Sequence, residues 1–314
     1  MEEVEKLLAE RADKLLFYSP YSFIREIGPE IQYEKLIKNK IIDFSDKPDH
    51  IIQEVVVGNY TQQFLVNYLS WDAGYFQIPT YRIFAVLYRH KHFPILSQAV
   101  TCFRNTFIAG KRKYCFIEIP SEDSLLLQAF THAGFKLIET RLTYYLPDVQ
   151  SYENERFPVH KANENDVSAL KKVAAEARNP YDRIHADSIF TQEIADQYLA
   201  TYIEQAINGF ADAVLVPSEE QIPAHAFVAL SYLANDSKEL NCQLSRILLT
   251  AVDPSSRGWH YKLISEAVYQ SKSVGAKYLL MTTQTTNRAV IRNCEKLGFR
   301  LGSSTHILSA YNQD

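Results

Sequence analysis

Two periods of apolar residues alternate along this chain. Runs rich in β-branched and aromatic side chains, IIQEVVVG (51–58), YRIFAVLY (81–88), KYCFIEIP (113–120) and IETRLTYYL (138–146), predict strands in the first half, with helical stretches between them. ADAVLVP (211–217), HAFVALSYL (225–233), RILLTAV (246–252) and KYLLMTT (277–283) predict strands in the second. Helical spacing appears at Val4, Leu7, Leu8, Leu15 and Leu16, at Leu263, Ile264, Ala267 and Val268, and at Val290, Ile291, Cys294 and Leu297. The first of these helices is expected to dock on its own protein, a partner-binding helix being the alternative. Residues 19–50 mix short apolar runs with Pro20, Gly28, Pro29 and Pro48 and read as an irregular extension.

From Arg246 to Arg300 the elements run strand, loop, helix, strand, loop, helix. The first loop, PSSRGWHYK (254–262), carries glycine and two cations where a strand hands over to a helix. Such a junction directs free backbone N–H groups and the positive helix end at one point, which suits phosphate oxygens, and Arg257 and Lys262 add charge of the same sign. In the second unit of the pattern, Asn287 is placed to cap a helix and Gly298 to end it in the left-handed conformation.

The stretch SEDSLLLQAFTHAGFKL (121–137) repeats the design of TTNRAVIRNCEKLGFRL (285–301), with Asp123 standing eleven residues before Gly134 as Asn287 stands before Gly298. No Gly-bearing basic loop opens a helix among the strands of the first half, and Asp123 would repel a phosphate. That half therefore reads as a supporting domain rather than a second phosphate site. A polar connector, LPDVQSYENERF (146–157), precedes VHKANENDVSALKKVAAEA (159–177), a short strand and an amphipathic helix capped by Asn165 or Asp166. The expected divisions are 1–50 (extension), 51–150 (supporting domain) and 156–314 (main domain).

Composition narrows the class. A formal net charge of -4 leaves no basic footprint for nucleic acid. Cys102, Cys115, Cys242 and Cys294 lie far apart, so neither a disulfide framework nor a metal site is expected and a reducing cytoplasm is the default. No run approaches the ~18 apolar residues of a membrane span.

On these residues the chain resembles the GNAT superfamily of acyl-CoA-dependent N-acetyltransferases. Val252, Pro254, Arg257 and Gly258 match the start of that family's phosphate loop, V-x-P-x-x-R/Q-G-x-G-x-G/A. Asn287, Glu295, Lys296, Leu297, Gly298 and Phe299 match most of its last helix, N-x-x-A-x-x-x-Y-x-K-x-G-F. Aligned from the helix, Gly258 takes the central glycine and His260 stands where the family has glycine or a small residue. Its side chain then either contacts the phosphates or points away. LSWDAGYF (69–76), IETRLTYY (138–145), NPYDRIHAD (179–187) and TQTTN (283–287) are similar to the dTDP-fucosamine acetyltransferase type and extend the likeness to residues 55–310.

The resemblance implies an α/β (α+β) GNAT fold, a central mixed and mostly antiparallel sheet flanked by helices, preceded by a degenerate GNAT-like domain. It implies acetyl-CoA as co-substrate, without metal, and an acceptor that is the amine of a dTDP- or UDP-linked amino deoxysugar for surface polysaccharide. The alternatives are another small amine, or an inactive acyl-CoA-binding module. A homodimer is compatible with it. The coenzyme would lie on Leu249, Thr250, Ala251, Val252, Arg257, Gly258, Trp259, His260, Lys262 and Asn287, the strand before the loop being splayed from its neighbour to free an N–H for an oxyanion.

NPYDRIHAD reads either as a solvated loop or as the acceptor loop. In the second reading Tyr181 and Arg183 bind the acceptor, and His185, oriented by Asp187, is the base, with a water chain to a carboxylate as the alternative. Cys294 falls where the family has the tyrosine that protonates the leaving thiolate. It is either that acid or a helix residue facing the core.

Overall fold

The computed structural model describes residues 2–110, 112–177, 179–218 and 224–312. They form two compact units, Met1–Arg141 with Ser303–Asp314, and Leu142–Gly302. This differs from the expected divisions at both seams. Residues 1–50 are part of unit 1, 142–150 go with unit 2, and the last twelve residues return to unit 1.

Unit 1 begins with helices α1 (Glu2–Leu15), α2 (Pro29–Gln32) and α3 (Asn39–Ile42), followed by β1 (His50–Val57), β2 (Tyr60–Tyr68), α4 (Ser70–Phe76), β3 (Thr80–Leu87), α5 (Phe93–Phe103), β4 (Lys113–Pro120) and α6 (Ser124–His132). Leu7, Leu8 and Leu15 of α1 are buried, so the first helix docks on its own unit. Strand β5 (Lys136–Leu146) is divided between the units.

Strand β2 was not expected from the sequence. Its YTQQFLVNY pairs with β1 through a two-residue Gly58-Asn59 turn, the signal that should have been read. The order in unit 1 is β1-β2-β3-β4 followed by β11 (Arg300–Asn312), antiparallel except for β3 with β4. Leu96, Ala99, Val100 and Phe103 of α5 and Leu126, Ala129 and Phe130 of α6 bury one face of it against Phe64, Ile83, Cys115 and Ile117.

Unit 2 continues with β6 (Val159–Lys161), α7 (Val167–Glu176), α8 (Arg183–Ala186), α9 (Gln192–Gln205), β7 (Ala213–Pro217), β8 (Ala226–Ser231), α10 (Ala234–Glu239), β9 (Leu244–Val252), α11 (Trp259–Ser273), β10 (Tyr278–Gln284) and α12 (Arg288–Lys296). Its strand order is β10-β9-β8-β7-β6, antiparallel except for β9 with β10. The alternation of side chains gives the sheet two apolar faces. Ile247, Leu279 and Met281 meet α11 and α12 on one, and Phe227, Ala229 and Ala251 meet α7 and α9 on the other. The turn before α7 is capped by Asn163, in a reciprocal pair with Asp166, rather than by Asn165. Among the described residues no helix is long and apolar enough to cross a membrane.

Candidate active site

Strand β9 runs parallel to β10 from the pair Tyr278–Leu244 to the pair Met281–Ile247 and no further, although β9 continues to Val252 and β10 to Gln284. On its other flank β9 stays with β8 as far as Val252–Ala226. That ladder skips one residue: Leu230 faces Ile247 and Ala229 faces Leu249, which leaves Leu248 as a bulge. A bulge increases the local twist and bends the strand, and this one comes at the residue after β9 and β10 part. The two strands form a fork.

One row of backbone groups opens into it. Asp253 N–H donates to His225 O at 2.9 Å. In an antiparallel ladder bonded and non-bonded pairs alternate, so Ala251 and Leu249 also bond toward β8. Thr250 and Val252 turn their N–H groups to the side that β10 has left.

The loop beyond is set by three local constraints. Asp253 accepts a hydrogen bond from Ser255 N–H at 2.8 Å, Pro254 starts a single turn, and Gly258 precedes α11 with φ 101°. A Cβ on Gly258 would meet no atom within 4 Å, so glycine is required there for its backbone angle and not for space. The first N–H groups of α11 have no partner inside the helix, and they lie at its positive end. Arg257 is exposed beside them, while Lys262 rests over the ring of buried Trp259, its nitrogen 4.7 Å from the centroid.

His260 points elsewhere. Its Nδ1 accepts a hydrogen bond from Asn293 Nδ2 of α12 at 2.9 Å, while Nε2 is buried with no partner. Burial lowers its pKa to about 4, so the ring is neutral at pH 7.

At the other tine of the fork, Asn287 caps α12 by accepting from Val290 N–H at 3.3 Å. Gln284, at the end of β10, accepts from Asn179 Nδ2 at 2.7 Å, which ties the NPYDRIHAD segment to this tine. Asp182 then caps α8 through Ile184 N–H and His185 N–H.

The partners of His185 are not those expected. Its Nδ1 lies 2.6 Å from Asp182 Oδ2 and its Nε2 3.0 Å from Asp196 Oδ1, with the side chain only 3% exposed. Burial disfavours the charged ring, but the two carboxylates outweigh it and the pKa lies above the usual histidine value. Asp187 is buried and accepts from Ile189 N–H instead of orienting the ring. The expected His185–Asp187 pair is thus replaced by an Asp182–His185–Asp196 clamp. With both nitrogens engaged, His185 holds α8 to α9 and is not free to take a proton. Tyr181 is exposed and Arg183 half-buried at the start of the same turn.

Cys294 is a core residue. It is wholly buried with Met281, Leu263 and Val290, its thiol donates to Met281 Sδ at 3.5 Å, and burial pushes its pKa up to about 12. Its burial and its contacts fit the alternative expectation, a helix residue facing the core.

Arg246 was not singled out in the sequence. It lies one residue before Ile247, hence on the opposite face from α11, beside Tyr202 of α9. Burial pushes the Tyr202 hydroxyl up to about 12, against the pull of the Arg246 charge. Arg246 is half-buried, and its Nε is buried without a partner. Among the described residues no group of three His, Cys, Asp or Glu could hold a metal.

No protein-family model matches the chain, and no curated protein does. Solved structures do match. A GCN5-related N-acetyltransferase from Sphaerobacter thermophilus, 12% identical, superposes with a TM-score of 0.50 over 82% of this chain and 82% of its own. A functionally unknown conserved protein from Staphylococcus epidermidis, 12% identical, gives 0.52 over 86% of this chain and 97% of its own. A GCN5-related glucosamine N-acetyltransferase region of a fungal multi-domain β-N-acetylglucosaminidase, 11% identical, gives 0.51 over 80% of this chain and 31% of that one.

The chain has the GNAT fold.

Proposed function

We propose that unit 2 transfers the acetyl group of acetyl-CoA to the amine of a dTDP- or UDP-linked amino deoxysugar, a step toward surface polysaccharide. The observation that carries acetyl transfer is the fork: a parallel ladder that stops at Ile247–Met281, with Gly258 and the start of α11 following the diverging strand. The residues fit the coenzyme. Arg257, Lys262 and the first N–H groups of α11 would hold its phosphates, and the backbone of Leu249, Thr250, Ala251 and Val252 its pantetheine arm, with Asn287 opposite. When bound, acetyl-CoA supplies a thioester carbonyl. The N–H groups of Thr250 and Val252 are fixed in advance for a developing oxyanion, and such donors contribute ~3 kcal/mol.

The amino-sugar reading is supported by residues on the acceptor side. A nucleotide-sugar brings a diphosphate, and Arg246 is a half-buried cation without an ion pair among the described residues. Tyr181 and Arg183 add a hydrogen-bonding rim, and the fungal neighbour acts on glucosamine. A sugar amine is a weaker base than a lysine amine, so part of it is neutral at pH 7 and its proton can leave to water. The test is release of free thiol from acetyl-CoA with a panel of dTDP- and UDP-amino sugars. Turnover with a nucleotide-amino sugar supports the reading, and turnover only with unrelated amines overturns the acceptor.

The second reading, an acyl-CoA-binding module without turnover, is favoured by the engaged His185 and the buried Cys294. Coenzyme binding without thiol release across the panel would select it.

A further inference from the structure

Unit 1 contains a fork whose ladder end, bulge and second helix start follow the same spacing as in unit 2. Strands β3 and β4 run parallel from Thr80–Tyr114 to Ile83–Ile117 and then part. The ladder of β3 with β2 skips Phe84, the residue after the last pair, as that of β9 with β8 skips Leu248. Asp123 then precedes α6 six residues past Ile117, as Asn287 precedes α12 six past Met281. Tyr88 stands five past Ile83, as Val252 stands five past Ile247. These counterparts of Val252 and Asn287 are occupied.

Arg11 of α1 donates to Tyr88 Oη at 2.9 Å and, with both terminal nitrogens, to Asp123 Oδ1 at 3.1 Å and Oδ2 at 2.6 Å. Its guanidinium carbon lies 4.3 Å from the centroid of the Tyr88 ring. Tyr18 adds a hydroxyl donor to Asp123 Oδ2 at 2.8 Å. Arg11 and Asp123 are both buried, at 3% and 1% exposure. A guanidinium and a carboxylate withdrawn from water hold each other strongly, since removing either leaves the other uncompensated.

We propose that helix α1 is a built-in occupant of a second coenzyme fork, latched by Arg11 on Asp123, so that the chain takes up one coenzyme and unit 1 none. The expected stoichiometry rests on the acetyl-transfer reading of unit 2, whereas the latch does not. With the helix in place, unit 1 serves as a scaffold. With it released, the fork carries an open backbone row of the same kind, and the loop Arg89–His92 before α5 supplies cations of the kind that Arg257 and Lys262 supply in unit 2.

The full chain is titrated with coenzyme A by calorimetry, and amide exchange over residues 2–15 is followed in parallel. The wild type is expected to bind one coenzyme per chain, and two would overturn the closure. In Arg11→Ala/Asp123→Asn, which removes the pair without leaving a buried charge, exchange of α1 is expected to rise by about a hundredfold and stoichiometry to go from one to two. Arg11→Lys, which keeps the charge, should retain most of the protection. Unchanged exchange in the double variant would show that Arg11 is no latch, and release of α1 without a second binding event would show that it excludes no ligand. A wild type that binds no coenzyme, with α1 released by the double variant as expected, would overturn the reading of unit 2 and leave the latch standing.

Discussion

Ile247 and Met281 are the last residues that β9 and β10 share, and the bulge at Leu248 follows at once. A single backbone irregularity therefore separates a packed parallel pair from an open row of donors. Whatever binds there meets main chain before side chain, so substitutions should act mainly where they change the backbone.

Gly258 is the sharpest case. Its φ of 101° costs a residue with a side chain about 1–3 kcal/mol. Gly258→Val should weaken acetyl-CoA binding at least about tenfold with the far-ultraviolet spectrum unchanged. Calorimetry showing wild-type affinity would separate the loop from the coenzyme.

His185 should reveal itself as a clamp through pH. Its folded pKa is raised, so its stabilising contribution is complete below the unfolded value of ~6.5 and is lost as pH rises through the folded value. Thermal melts of wild type and His185→Asn should differ most near pH 5 and converge in alkali. A pH–rate profile that loses its acidic limb in the variant would instead make His185 a base.

His260 has the opposite sign. With a folded pKa of about 4 it resists protonation, so the native state loses stability as pH falls from the unfolded value toward 4. His260→Phe should flatten the acid limb of the stability curve by up to about 3 kcal/mol. An unchanged limb in urea titrations between pH 4 and 7 would contradict the buried, neutral ring.

Cys294→Ala should cost about 1–2 kcal/mol of stability by leaving a small cavity next to Met281, with turnover at the wild-type value. A variant of full stability and much reduced turnover, read from urea midpoints and thiol release, would restore the thiol to the chemistry.

Arg246→Gln should raise KM for a diphosphate-bearing acceptor about tenfold, leaving the affinity for acetyl-CoA alone. Equal KM values for acceptors with and without phosphate, in wild type and variant alike, would remove Arg246 from recognition.

The strand, Pro254, Gly258, the stripe of α11 and the cap at Asn287 were legible in the sequence because each is local and all lie within one stretch. The fork was named only through resemblance, since where two strands stop pairing depends on a bulge that no side-chain pattern encodes. His185 was paired with its near neighbour Asp187, whereas a helical turn brings Asp182 under the ring and α9 delivers Asp196. Arg11 and Asp123 are 112 residues apart, beyond the reach of any periodicity. Strand β2 was missed for the opposite reason, its central glutamines masking a buried run that includes Phe64, Leu65 and Val66.

Strand β11 runs beside β4 from Thr305–Pro120 to Asn312–Lys113. Unit 1 therefore lacks one of its own strands until unit 2 has been made, and β4 keeps an unpaired flank for all of that time. Long-range pairing of this kind is slow and exposes a template for wrong partners. Nascent unit 1 should accordingly be the species that chaperones hold.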